Sequence, residues 1–480
     1  MLQELLPSFV ADTVWPERRP TWRFHATSYL DGLRGLASVI VFICHYTESR
    51  HPYFVPTYGL NKDEPSALIQ LPYVRLIYSG RPMVHIFFVI SGFVLSAKPL
   101  QLLHARDTER CYTTLASSLF RRPIRLLLPC AVSTLGIAAL CQGGFLYAAA
   151  PTVTEQLQSW AGVFFHSISW PWAWDRDLRP GYDIHLWTIP IEFAHSMLLF
   201  LVLLALSRMR ARLRQFTNVL LVMYCVCSGK WAAFEFLSGM FLAELHVLKK
   251  SAKLLGSDSF NSSDAHGRRT ISHCRDRTLK TSFHVAILVA TLYVAGWPNV
   301  GAEKTPGIRY LLAKTPTPFL ADVDMPQKFW FGVAAVFTVW SCGEVKVVRR
   351  LLEGSFAQYC GRTSYAIYLV HGPGLDYFQD CVLGQPLKPA RGDPGASNFV
   401  PAFKGSGIKG TIGVQTSTQR VVTWFLGVMI LGAIIVWIAD LFWRFVDAPI
   451  VAFGRVLERA VTDDGLSEIK EQKWDKYAPV

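Results

Sequence analysis

The sequence is short of charge. Asp, Glu, Lys and Arg make up 17% of its 480 residues, against about 25% in an ordinary soluble chain. That shortage excludes a charge-rich disordered chain and argues against a soluble globular enzyme. Series of short alternating segments, which a transmembrane β-barrel needs, are also lacking. The first 25 residues hold no basic start followed by an apolar core, so no cleavable signal peptide is expected. The ten cysteines set out neither a disulfide framework nor a zinc site: Cys225 and Cys227 are isolated, and Cys44, Cys130 and Cys342 lie inside apolar runs. No internal repeat is visible.

What is present is apolar residue in long blocks. The chain is 51% hydrophobic and 13% aromatic, with a mean hydropathy of +0.26. Blocks near the roughly 20 residues that cross a bilayer fall at 29–46, 83–95, 124–141, 186–206, 219–227, 231–248, 282–297, 329–342, 356–371 and 421–446. They predict an all-α polytopic membrane protein with about ten transmembrane helices; 219–227 is the shortest. The segment 160–174, rich in Trp and Phe and broken by Pro171, is expected at the interface rather than across the membrane.

Lys plus Arg is 48 and Asp plus Glu is 35, a net charge of +13. The basic residues concentrate in alternate gaps, such as Arg208–Arg214 and Lys346–Arg350, as the positive-inside rule requires. Both termini are therefore placed in the cytosol. The charge follows from membrane topology, so a lipid bilayer, not nucleic acid, is the expected partner. The gap Ser251–Lys280 is expected as a flexible cytosolic loop, and Gly372–Gln419 as an extracytoplasmic one.

Charged groups inside spans are costly and mark function or a structural pair. The first block carries Asp31, Arg34 and His45. Arg34 and His45 are eleven residues, or three turns, apart, on one face and roughly 16 Å apart along the axis. The bland alternative is a neutralised Asp31–Arg34 pair with His45 at a helix end. In the ten-span layout His85, Glu192, His195 and His371 fall near the depth of His45, while Arg34, Arg121, Arg122, Arg125 and Arg362 fall on the cytosolic side. Arginine suits phosphates and histidine suits general-base work. A donor with phosphates at one end and a reactive group on a long arm fits this polarity; acyl-coenzyme A is such a donor. No metal site is expected, because no two histidines share the i, i+4 spacing on one helix.

Several motifs resemble the acyltransferase 3 family of integral-membrane acyltransferases. Tyr29-Leu30-Asp31-Gly32-Leu33-Arg34-Gly35-Leu36-Ala37, followed by His45, is similar to its opening signature. Phe87 to Phe93, Arg121-Arg122-Pro123-Ile124-Arg125, Trp187-Thr188-Ile189-Pro190-Ile191-Glu192, Ser364-Tyr365 through His371, and Asp447-Ala448-Pro449 resemble its later motifs in order. Ile90 departs mildly, standing where leucine is common. The resemblance, closest in flavour to standalone fungal members, implies a ten-span fold that moves an acyl group, commonly acetyl, from acyl-coenzyme A to a hydroxyl. It divides the chain into a cytosolic N-terminal segment 1–28, a membrane acyltransferase domain 29–447 and a cytosolic tail 448–480.

The resemblance puts catalysis on His45 with Arg34 as its partner, and donor binding on Arg34, Arg121, Arg122 and Arg125, with Ser91 and Gly92 along the donor path. Glu192 is expected to orient or charge an imidazole or to position the acceptor; pairing with His195 or Arg34 is the plain alternative. His85 and His371 are expected as helix-end hydrogen-bonding residues. Acyl-coenzyme A, acetyl-coenzyme A above all, is a co-substrate and no permanently bound cofactor is expected. The acceptor is expected to be a small secondary-metabolite alcohol such as a terpenoid or polyketide, with a glycan hydroxyl as the alternative, in an endomembrane. A transporter with an intramembrane Arg/His path is the rival from another class, and the lack of paired halves counts against it.

Overall fold

The computed structural model describes residues 6–14, 25–60, 65–258, 269–383 and 407–462. These are almost wholly helical; beyond one isolated bridge between Pro56 and Val300, no strand occurs among them. Every apolar block named above lies on a helix. We number the long helices α1 (Ser28–Arg50), α2 (Arg81–His104), α3 (Thr108–Gln142), α4 (Thr188–Leu206), α5 (Ala211–Cys227), α6 (Trp231–Asp258), α7 (Arg269–Ala295), α8 (Met325–Cys342), α9 (Ser355–Leu383), α10 (Ser417–Phe442) and α11 (Ala448–Val461).

Six helical segments are long and apolar enough to cross a membrane, seven if α8 and the helix Lys346–Leu352, bent by 96° from it, form one broken span. Helices α1, α5 and α9 fall outside that set. Helix α1 carries Asp31, Arg34, Glu48 and Arg50; α9 carries Arg362 and Asp376; α5 has 17 residues, two of them arginines. Length and composition thus support six or seven crossings of an integral membrane protein.

Three expected loops or tails are more helical than the sequence suggested. Helix α9 runs past Pro373 to Leu383, held to α1 by the Ser49–Gln379 hydrogen bond of 3.3 Å, so the start of the expected Gly372–Gln419 loop is helix. Helices α6 and α7 extend into the expected Ser251–Lys280 loop from either side. The boundary at 447 falls inside a helical run: α10 passes through a π-turn at Trp443–Asp447 into α11, which packs on α3. The remainder of those expected segments, 259–268, 384–406 and 463–480, and most of the first 24 residues lie outside the described residues.

The crossing of α1 and α9 positions the site. They run in the same direction: Gln358 donates to the Ser28 carbonyl near one end, and Ser49 meets Gln379 near the other. At Gly35 the backbones touch, since a Cβ there would lie 2.2 Å from the Gly361 nitrogen. Only glycine permits so close an approach. Counting ten residues along each helix from this contact, about 15 Å, leads to His45 on α1 and His371 on α9.

Candidate active site

Those two histidines meet. Their ring centroids are 5.3 Å apart with planes 26° from parallel. A third ring joins them: His185, from the 3-10 turn Ile184–Trp187 that leads into α4, lies 4.2 Å from His45 and 4.8 Å from His371. One ring nitrogen from each falls within 4.8 Å of the others. Spacing along one helix could not reveal this group, because each member comes from a different element.

Two of the three tautomers follow from their partners. His371 is fully buried, and its Nδ1 donates to the carbonyls of Ile367 at 3.1 Å and Tyr368 at 2.7 Å. Its Nε2 must therefore be a bare acceptor, and it has no hydrogen-bond partner among the described residues. His185 Nδ1 donates to Asp183 Oδ1 at 2.8 Å, which leaves the His185 Nε2 bare as well. The turn that carries His185 is fastened by Tyr368, whose hydroxyl donates to the His185 carbonyl at 2.5 Å and lies 2.8 Å from Thr188 Oγ1.

The other expected members of the histidine level lie elsewhere. His85 Nδ1 meets the buried Glu235 at 2.5 Å, between α2 and α6 and beside Trp231. His195 spends Nδ1 on the Ile191 carbonyl and packs against Trp174 and Phe236. His371, expected as a helix-end hydrogen bonder, does make such bonds but also faces His45. His185 and Asp183 were not foreseen. The available signal was Asp183-Ile184-His185 immediately before the Trp187 motif, at the edge of the fourth block.

Arg34 donates to the Gly361 carbonyl at 3.2 Å and lies 3.4 Å from Asp31, the expected i, i+3 pair. Arg125 is exposed, and Arg34, Arg122 and Asp447 lie within electrostatic reach of it. Arg122 forms an ion pair with Glu192 and donates to Ser196 Oγ at 3.0 Å. The expected vertical separation of Arg122 from Glu192 therefore does not hold. Helix α3 begins at Thr108, so its arginines fall well inside the helix rather than before it. Glu192 pairs with Arg122 rather than with His195, Arg34 or another imidazole.

Arg121 points differently from its neighbours. It bonds Ser117 Oγ at 2.7 Å and Glu458 of α11 at 3.0 Å, with its side chain 40% exposed. Gly92 serves a helix contact: a Cβ there would sit 2.2 Å from the Phe236 carbonyl oxygen on α6. Ser91, its neighbour, is half-buried. The structure thus gathers Arg34, Arg122, Arg125 and Glu192 on one side and His45, His185 and His371 further along α1 and α9.

An imidazole cluster that can take up a proton, three helical turns from a group of arginines, is the equipment of a group-transfer enzyme with an anionic donor. Sequence comparison places the chain accordingly: it belongs to the acyltransferase 3 family, whose acyltransferase domain matches residues 27–444, and it is an acyltransferase. Among its relatives, the O-acetyltransferase PaAT-1 of Phomopsis amygdali is 29% identical over 463 residues, covering 90% of this chain and 84% of that protein. Acyltransferase R4 of a Phoma species is 28% identical, covering 73% of this chain and 84% of its own. Acyltransferase clz18 of Cochliobolus lunatus is 28% identical, covering 72% and 82%. No solved structure matches this chain.

Proposed function

We propose that this protein is an O-acetyltransferase that moves an acetyl group from acetyl-coenzyme A to a hydroxyl of a small secondary metabolite, a terpenoid or polyketide alcohol. Ten spans, cytosolic termini and an endomembrane location belong to the same reading. The observation that carries it is the axial arrangement on α1: Arg34, beside Arg125, is separated by three helical turns from His45, which lies against the buried, unpartnered Nε2 of His371.

In this mechanism Arg34, Arg122 and Arg125 hold the coenzyme A phosphates by paired, charge-assisted hydrogen bonds. The thioester reaches the histidines along the roughly 16 Å between Arg34 and His45. His45 takes the proton of the acceptor hydroxyl as its oxygen attacks the thioester carbonyl. The tetrahedral intermediate collapses, the carbon–sulfur bond breaks, and the imidazolium returns its proton to the coenzyme A sulfur. The name of the relative from Phomopsis amygdali, an O-acetyltransferase, supports acetyl and oxygen as the group and acceptor atom.

The test is transfer of labelled acetyl from acetyl-coenzyme A to a panel of alcohols, in membranes holding wild type or His45→Ala. Labelled ester made by wild type and absent with His45→Ala is the expected result. Equal ester from both would remove His45 from catalysis. Uptake of substrate without ester formation would favour a transporter.

A further inference from the structure

Asp183 is an unusual residue for its surroundings. Its side chain is 1% exposed and is held by the neutral His185 imidazole. Oδ1 accepts both the backbone N–H of His185 at 3.0 Å and the ring Nδ1–H at 2.8 Å. Oδ2 is buried and has no hydrogen-bond partner among the described residues. A buried carboxylate left in this condition is costly unless positive charge comes close at some stage of the working cycle.

The surroundings are shaped to hold this pair still. Next to His371 stands Gly372, where a Cβ would lie 2.5 Å from His185 Nδ1 and 2.9 Å from Asp183 Oδ1. Tyr368 anchors the His185 backbone from the same helix. Helix α9 thus supplies the stacked partner of His45, the space for the Asp183–His185 pair and the clamp on its turn.

We infer that Asp183 and His185 are positioning residues for His45: the carboxylate holds the His185 ring edge-on to His45, and together they balance the charge His45 gains on taking a proton. The inference rests on His45 acting as the base. With Nδ1 of His185 committed to Asp183, its bare Nε2 accepts an N–H from His45. That bond directs the other nitrogen of His45 to the acceptor hydroxyl. When His45 becomes a cation, Asp183 faces it across one ring and keeps its own protonation state, as the carboxylate does in a serine–histidine–aspartate triad. The proton taken from the hydroxyl leaves on the coenzyme A sulfur, and none is lost to the pair.

A metal ion on the three histidines is the competing occupant. Tetrahedral zinc with bonds of about 2.0 Å would bring its ligand nitrogens to roughly 3.3 Å of one another. One ring nitrogen from each of the three histidines lies within 4.8 Å of the others, a looser limit than that spacing, so metal content is measured alongside the kinetics.

The experiment uses purified full-length protein in detergent, with kcat, KM for acetyl-coenzyme A, thermal unfolding and metal content measured for wild type, His45→Ala, Asp183→Asn, Asp183→Glu and His185→Gln. In the expected result Asp183→Asn lowers kcat about a hundredfold, leaves the donor KM within about twofold of wild type and unfolds at the wild-type temperature; Asp183→Glu recovers part of the loss. Wild-type kcat in Asp183→Asn overturns the inference. So does a common loss of donor binding and thermal stability in Asp183→Asn and Asp183→Glu, which makes the pair structural. Stoichiometric metal in wild type that disappears in His185→Gln replaces the inference with a metal centre. Transfer surviving in His45→Ala sinks the base itself, whereas transfer surviving only in Asp183→Asn sinks the pair alone.

Discussion

His371 stacks on His45 at 5.3 Å while turning a buried, unpartnered Nε2 into the same space. Its Nδ1 is already spent on two backbone carbonyls, so the free nitrogen can only accept. A second hydroxyl of the acceptor molecule, other than the one His45 deprotonates, is a donor that would satisfy it. Replacing His371 by Gln is expected to raise KM for the alcohol at least tenfold and to leave KM for acetyl-coenzyme A within about twofold. Steady-state kinetics with each substrate varied in turn checks this; an unchanged alcohol KM would take His371 out of acceptor binding.

The crossing at Gly35 and Gly361 leaves no room for a methyl group. Gly35→Ala must push α1 off α9 or strain both backbones, at a cost of about 1–3 kcal/mol. Because His45 and His371 sit ten residues beyond the contact on parallel helices, their stacking should be lost as well. A lower unfolding temperature in detergent with a steep loss of transfer is expected. Normal transfer in Gly35→Ala would show that the histidines are not set by this crossing.

Neighbouring arginines in one motif should behave differently. Arg122 and Glu192 are both largely buried, with side chains 14% and 13% exposed. Arg121 and Glu458 form a pair nearer the surface. A double-mutant cycle on unfolding should give about 0–1 kcal/mol for Arg121–Glu458. Removing Arg122 alone should cost about 3–5 kcal/mol, because it strands the Glu192 carboxylate. Similar small effects at both positions would mean that Arg122 and Glu192 are well hydrated.

His85 provides a control for the histidine assignment. It is buried against Glu235 and touches Trp231 and Phe331, away from the other three rings. His85→Ala would leave Glu235 buried without its hydrogen-bond partner. Lower stability is expected, with kcat of the folded fraction close to wild type. A selective loss of kcat at normal stability would put His85 in the reaction.

A further prediction concerns the buried ion pair of Arg214 and Glu244, which accepts from Arg214 Nε at 2.9 Å and lies near His104. It ties α5 to α6. Glu244→Gln should therefore weaken that docking and lower the unfolding temperature, with donor and acceptor KM unchanged. Altered KM values would place the pair on a substrate path.

Much of the helical layout was legible in the chain. Each apolar block became helix because a run of apolar side chains is buried or lipid-facing on every side, and the backbone must then satisfy its own hydrogen bonds. Asp31 with Arg34, and Arg34 with His45, could be placed because both relations lie along one helix, where the rise and turn are known. The early end of α3, the helical continuation to Leu383 and the run from α10 into α11 were not visible, since polar turns of helix carry no apolar signal.

What the sequence determined by itself is therefore what acts within one helix: the class of protein, the positions of its helices, and the Arg34-to-His45 polarity. Which histidines meet was decided by tertiary structure alone. Three histidines, His85, His195 and His371, were expected near the depth of His45, yet only His371 reached it, and it was joined by His185, which no helical spacing marks. The reason is the backbone contact at Gly35 and Gly361: it sets two helices in register, and the register carries their side chains to the same place.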